Sequence, residues 1–69
     1  MNNLPKDFKV KNDQGEFLSF DFDSRTGQMN PIWGPISMSY PFTQDEAYRL
    51  SDVHYAEPVH ISEIPGYKK

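Results

Sequence analysis

Residues 16–33 read EFLSFDFDSRTGQMNPIW, and the fold depends on how this stretch divides into strands and a turn. Side chains alternate between the two faces of a β-strand, so Leu18, Phe20 and Phe22 share one face. The opposite face carries Phe17, Ser19, Asp21 and Asp23. The segment SRTG ends in a glycine and separates two runs that favour strands. The stretch therefore predicts a β-hairpin with one apolar face.

The length of the turn decides which face the second strand presents to the core. A four-residue loop at 24–27 pairs Phe22 with Met29 and Leu18 with Trp33. A loop of three residues would reverse the faces and send Trp33 to solvent. We predict the four-residue loop, because it buries the largest side chain and leaves Ile32 on the opposite face beside Phe17.

Another hairpin is predicted earlier in the chain. The segment NDQG separates FKVK from the Leu18 strand. A three-residue loop at 13–15, closed by Gly15 in a left-handed conformation, puts Phe8 and Val10 on the Leu18 face. This loop pairs Val10 with Leu18 and Phe8 with Phe20.

Two further strands are predicted from alternation. In ISMSY, residues 36–40, large side chains alternate with serines, which is typical of a half-buried strand. In VHISEI, residues 59–64, Val59 and Ile61 lie on one side and His60 on the other. Pro31 inside the third strand favours an edge or a bulge, because proline has no N–H for a central ladder.

The segment FTQDEAYRLSDVHYAEP predicts one α-helix over about residues 43–56. Thr43 and Glu46 have the spacing of a capping box, and Glu57-Pro58 ends the helix. Its core-facing side chains would be Ala47, Leu50 and His54. The predicted fold class is α+β: an antiparallel β-meander of three to four strands, this helix packed on one face, and a closing C-terminal strand.

The 69 residues are enough for one small domain, with flexible basic ends at about residues 1–6 and 65–69. Residues 12–63 hold nine acidic residues and only two basic ones, Arg25 and Arg49, a net charge of −7. An acidic body of this kind repels phosphate backbones and favours a basic partner. The absence of cysteine and of a long apolar run predicts a cytoplasmic protein without membrane contact.

No pattern in the chain predicts an enzyme, a metal site or a cofactor. Asp21 and Asp23 begin a segment that resembles a calcium loop, but Arg25, Thr26 and Ile32 stand where an acid, a glycine and a glutamate are needed. His54 and His60 are the only imidazoles, too few to complete a zinc site. The serines lie in strands and turns without a nucleophile motif.

The surfaces left over are candidates for binding a protein partner. We predict a protein-interaction module, an adaptor or inhibitor that docks through the sheet face opposite the helix, as a monomer or a weak homodimer. The candidate residues on that face and along a helix stripe are Phe17, Asp21, Asp23, Asn30, Ile32, Tyr48, Asp52 and Tyr55. An apolar centre with a charged rim is typical of a binding patch. A solvated sheet face with scattered apolar residues is the alternative.

A second functional hypothesis makes the same face a binder of single-stranded nucleic acid. Phe17 would stack a base while Lys9 and Lys11, at the rim, contact phosphates. The acidic body argues against it, so nucleic acid is the less favoured partner.

The chain resembles small accessory proteins encoded by phages or mobile elements, which are short, acidic and cysteine-free, with a helix beginning FTQDEA after a meander. This resemblance implies an adaptor or an inhibitor of a host enzyme, and it transfers no functional residues.

Overall fold

The computed structural model describes residues 4–66 of the chain. Part of each predicted flexible end, including Lys68 and Lys69, lies outside these residues. The elements in chain order are β1 (Phe8–Lys11), β2 (Phe17–Asp23), β3 (Gln28–Gly34), a 3₁₀ turn (Ile36–Met38), α1 (Gln44–His54), β4 (Glu57–His60) and a second 3₁₀ turn (Ile61–Glu63).

The four strands form one antiparallel sheet in the order β3-β2-β1-β4. β4, the last strand within residues 4–66, pairs beside β1, the first of them, with Phe8 opposite His60 and Lys11 opposite Glu57. The predicted α+β class, with a meander, one helix and a closing strand, is confirmed. The prediction of residues 59–64 for the closing strand is wrong, because Ile61–Glu63 is a 3₁₀ turn in which the Ile64 N–H donates to the Ile61 carbonyl at 3.2 Å.

The β2–β3 hairpin has the predicted register. Phe22 lies opposite Met29 and Leu18 opposite Trp33, so the loop at 24–27 has four residues. Gly27, with φ of 74°, closes this loop by donating its N–H to the Asp23 carbonyl at 2.7 Å. Its positive φ is the left-handed conformation that glycine adopts without strain.

The first turn also has the predicted length, but β1 and β2 separate soon after it. Lys11 lies opposite Phe17, and the Asn12 N–H donates to the Glu16 carbonyl at 2.9 Å. Gly15, with φ of 80°, donates to the Asn12 carbonyl at 3.2 Å, as in a type I turn closed by a left-handed glycine.

The predicted pairing of Phe8 with Phe20 is wrong, because residues 40–42 lie beside β1 there. Phe8 forms an isolated antiparallel bridge with Phe42, with N–H to carbonyl distances of 3.0 and 2.8 Å. The Tyr40 N–H donates to the Leu18 carbonyl at 3.1 Å. A short segment between the 3₁₀ turn and α1 thus takes ladder bonds that were predicted to join β1 and β2.

The prediction of a strand over ISMSY is also wrong. Ile36–Met38 is a 3₁₀ turn that begins after Pro35, whose carbonyl accepts the Met38 N–H at 3.1 Å. The Ser39 hydroxyl donates to the Ile36 carbonyl at 2.7 Å, a local bond that favours a turn over a strand. The alternation of large residues with serines is therefore part of a turn here and does not mark a half-buried strand.

Helix α1 begins with the predicted capping box. The Thr43 side chain accepts from the Glu46 N–H at 3.2 Å, and the Glu46 carboxylate accepts from the Thr43 N–H at 3.0 Å. The helix ends at His54, two residues before the predicted end. Tyr55 follows with φ of 55° and ψ of 45°, and its N–H donates to the Ser51 carbonyl.

The core lies between the helix and the sheet. Its buried members are Val10, Leu18, Phe42 and Ala47, with Phe8, Phe20, Trp33, Leu50 and Ala56 packed against them. Ser51 is buried on the helix face where His54 was predicted, and His54 is half-buried with its ring 6.0 Å from that of Trp33. Phe22 was predicted in the core but is 59% exposed, because α1 lies mainly over β1 and β4.

Candidate protein-binding surfaces

The sheet face opposite α1, called here the open face, brings most of the predicted residues of β2 and β3 together. Asp21 lies directly opposite Asn30, and Ser19 lies opposite Ile32. Directly opposed side chains in an antiparallel pair share a face and contact each other. The open face is therefore assembled as the alternation predicted.

The open face has a modest apolar centre. Ile32 is 45% exposed, whereas Phe17 is half-buried. Asp21 and Asn30 are both exposed beside Ile32. This arrangement places one accessible aliphatic side chain next to one accessible carboxylate.

Asp23 has a structural role in the turn. Its carboxylate accepts the Arg25 backbone N–H at 2.9 Å and lies 3.5 Å from the Arg25 guanidinium. An aspartate that bonds to the N–H two residues later is a common way to hold a turn. Of the two predicted aspartates, Asp21 is the one whose carboxylate faces solvent.

The lysines do not form the predicted basic rim. Lys9 is only 4% exposed, and its ammonium donates to the Ser39 carbonyl at 3.3 Å. Burial lowers the pKa of Lys9, because desolvation disfavours the charged form. Lys11 lies 3.4 Å from the Glu57 carboxylate. The placement of Lys9 beside Phe17 as an exposed phosphate contact was therefore wrong.

The helix stripe lies in the other layer of the molecule. Tyr48 is 55% exposed and its ring meets the Phe8 ring edge-on at 6.2 Å. Asp52 is exposed, and Tyr55, which follows the last helical residue, is 94% exposed. The stripe is accessible but does not adjoin the open face, so the eight predicted residues form two separate surfaces.

The alternation of the sequence did not predict a third exposed area, on the helix-facing side of the β2–β3 hairpin. Phe22 and Met29 lie opposite each other there and are 59% and 51% exposed. They lie beyond Phe20, the last residue of β2 that packs against the core. The pattern of the strand shows which face they occupy, but only the position of the helix shows that this part of the face is uncovered.

The outer edge of β3 is open as well. Within residues 4–66, no backbone hydrogen bond joins this edge to another element. The strand has seven residues, Gln28–Gly34, and none carries a charge. Such an edge presents N–H and carbonyl groups that a second strand can use. The proline in the sequence is the signal that indicated the edge.

The histidines do not meet in a metal site. The His60 ring packs edge-on against Phe8 at 5.1 Å, and its Nδ1 accepts from the Ser62 N–H at 3.1 Å. No group of three or more His, Cys, Asp or Glu side chains in the described part of the chain is placed to hold a metal ion.

None of the helices between residues 4 and 66 has the length and apolar character needed to cross a membrane. No family model matches the chain, and no curated protein or solved structure is significantly similar to it.

Proposed function

We propose that this chain is a small acidic protein-interaction module that docks on another protein through the open face of its β2–β3 hairpin. It would act as an adaptor or as an inhibitor, without catalysis of its own. A cytoplasmic location is part of the proposal, since a chain without cysteine suits a reducing compartment.

The proposal depends mainly on Ile32, the accessible apolar side chain of the open face, and the far side of the hairpin adds uncovered apolar area. Ile32 on the open face is 45% exposed, and Phe22 and Met29 on the other side are 59% and 51% exposed. Scattered apolar residues are normal on a surface, but on the open face Ile32 lies beside the exposed carboxylate of Asp21, and an apolar group with a charged neighbour is typical of a binding patch. A partner that covered the hairpin would remove these groups from water.

The charge of the body supports a basic partner. Three of the basic side chains are engaged by acids nearby: Lys11 with Glu57, Arg25 with Asp23, and Arg49 with Asp45. The field that remains is set by the excess of carboxylates in residues 12–63. A field of one sign speeds encounter with an oppositely charged partner, such as a protein that binds nucleic acid.

The experiment is affinity capture with the immobilised protein at low and at high salt, followed by identification of the captured proteins. The test variant combines Asp21→Asn with Ile32→Ser, which removes the accessible carboxylate and the aliphatic side chain of the open face. The matched control is Met38→Ser, because Met38 is 71% exposed and belongs to the 3₁₀ turn and not to β2 or β3.

We expect proteins that the wild type and Met38→Ser capture and that the double variant loses, with capture weaker at high salt. Capture by the double variant equal to that of the wild type would exclude the open face. Loss on Asp52→Asn instead would assign binding to the helix stripe.

A further inference from the structure

We propose that the free edge of β3 binds an extended segment of the partner as a fifth, antiparallel strand, in which basic residues alternate with apolar ones. This inference rests on the proposed function and specifies how the partner is held.

The direction of one carbonyl shows which β3 residues offer hydrogen bonds at the edge. The Leu18 carbonyl accepts from the Tyr40 N–H at 3.1 Å, so it points away from β3. Leu18 and Trp33 are therefore a pair without mutual hydrogen bonds, and such pairs alternate with hydrogen-bonded ones along an antiparallel ladder. By this alternation, Met29, Pro31 and Trp33 direct their backbone groups to the free edge, while Asn30 and Ile32 direct theirs to β2.

Pro31 fits this assignment. A proline that faced β2 would interrupt the ladder, whereas at the free edge its missing N–H disrupts no bond within the sheet. The edge still offers the N–H and carbonyl of Met29, the carbonyl of Pro31, and the N–H and carbonyl of Trp33. An added strand loses one hydrogen bond opposite Pro31 and can form those on either side of it.

The side chains along the edge indicate the chemistry of the added strand. Residues opposite Met29, Pro31 and Trp33 would lie on the helix-facing side, next to the exposed Met29. Apolar side chains suit these positions. Residues opposite Asn30 and Ile32 would lie on the open face. There the exposed Asp21 is paired with Asn30.

Charge complementarity makes these open-face positions basic. A residue opposite Asn30 is two strand spacings, about 10 Å, from Asp21, a gap that a lysine or arginine side chain can largely span. The hairpin from Glu16 to Gly34 holds three acids and one base, Arg25, which is already paired with Asp23. A second copy of this acidic chain fits the edge less well, because it would place two prolines or two acidic hairpins together.

The test uses a capped heptapeptide in which lysine alternates with valine, beginning and ending with lysine. In the antiparallel arrangement the valine N–H groups face β3 and the lysine N–H groups face away. We expect the peptide to shift the Met29 and Trp33 amide resonances and slow their hydrogen exchange, and to have little effect on the Asn30 and Ile32 amides. Asp21→Asn should weaken binding about two- to five-fold, as for an exposed ion pair.

Two peptides methylated on the backbone provide matched controls of equal charge and size. N-methylation of the valines should abolish binding, and N-methylation of the lysines should leave it intact. The reverse result would overturn the antiparallel arrangement, and equal binding of both would overturn strand addition. A peptide in which glutamate replaces lysine should not bind. If partner capture depends on the open face but the valine-methylated peptide binds normally, strand addition fails while the proposed function stands.

Discussion

Lys9 is a charged residue, of a type usually found on the surface, that this fold buries. It lies opposite Val59 in the sheet, it is nearly inaccessible, and its ammonium donates to the Ser39 carbonyl. Lysine is rarely buried without a partner. Its four-carbon stem supplies packing while its head group binds the segment that follows the 3₁₀ turn, so this one side chain ties β1 to the chain after β3.

The buried ammonium makes stability depend on pH. The pKa of Lys9 is lowered from 10.5 in the folded state, so the unfolded chain binds that proton more tightly. Raising the pH from the folded pKa towards 10.5 should then increase the stability of the wild type relative to Lys9→Met, because the penalty for the buried charge is relieved. Urea unfolding of both proteins across this range measures the difference. A difference that stays constant with pH would contradict the burial of a charged Lys9.

The β2 strand is the element in which one face changes from core to surface. Phe20 packs edge-on against Phe42 and Tyr40, with ring centroids 6.2 and 6.0 Å apart, whereas Phe22, two residues later, is mostly exposed. Both side chains point to the helix side of the sheet. The core ends between them, because the helix lies over β1 and β4 and not over the end of the hairpin.

This boundary predicts unequal effects of two identical truncations. Phe20→Ala should lower the free energy of unfolding by about 2–3 kcal/mol, near the lower end for large-to-small changes because Phe20 is half-buried. Phe22→Ala should cost less than about 1 kcal/mol, as surface changes do. Urea denaturation of the two variants provides the comparison. Equal losses would mean that the core extends to the end of the hairpin.

Local sequence signals were sufficient for several features that depend on neighbours in the chain. Gly15 and Gly27 predicted two turns correctly, and the alternation around Leu18 predicted the register of β2 with β3. The capping box fixed the start of α1. The errors at Phe8, Phe22 and Lys9 lie where distant segments set the surroundings. The errors at residues 36–40 and 61–64 lie where local bonds form a 3₁₀ turn, which side-chain alternation does not distinguish from a strand. Of the candidate surfaces, the composition of the open face could be predicted, whereas the exposure of Phe22 and Met29 depended on where the helix lies.

The whole molecule exposes an open edge and an acidic surface, and both bear on self-association. Proline and like charge are two means by which proteins prevent edge strands from pairing with each other. Pro31 lies at the centre of β3, which carries no charge of its own. The proline is therefore the main barrier along the edge, and the charge of the body acts at longer range.

Replacing this proline should make the chain associate with itself. Pro31→Thr adds an N–H at the free edge and a residue that favours strands, so two copies can pair through β3. Sedimentation velocity over a range of concentrations should show stronger association than for the wild type. Pro35→Thr, outside the sheet, is the matched control and should leave the sedimentation coefficient unchanged. Similar behaviour of both variants would remove Pro31 as the barrier.

The pairing of β1 with β4 has a consequence for how the chain folds during synthesis. β1 is synthesised before the other strands of the sheet, yet its long ladder is with residues 57–60, and its ladder with β2 is short. The β2–β3 ladder joins residues that are close in sequence and can form early, while β1 and α1 must wait for β4. Contacts so distant in sequence slow folding, because a long loop must close before they form. The nascent chain therefore carries an exposed hairpin until residues 57–60 have been synthesised, and the native core closes only after β4 has emerged.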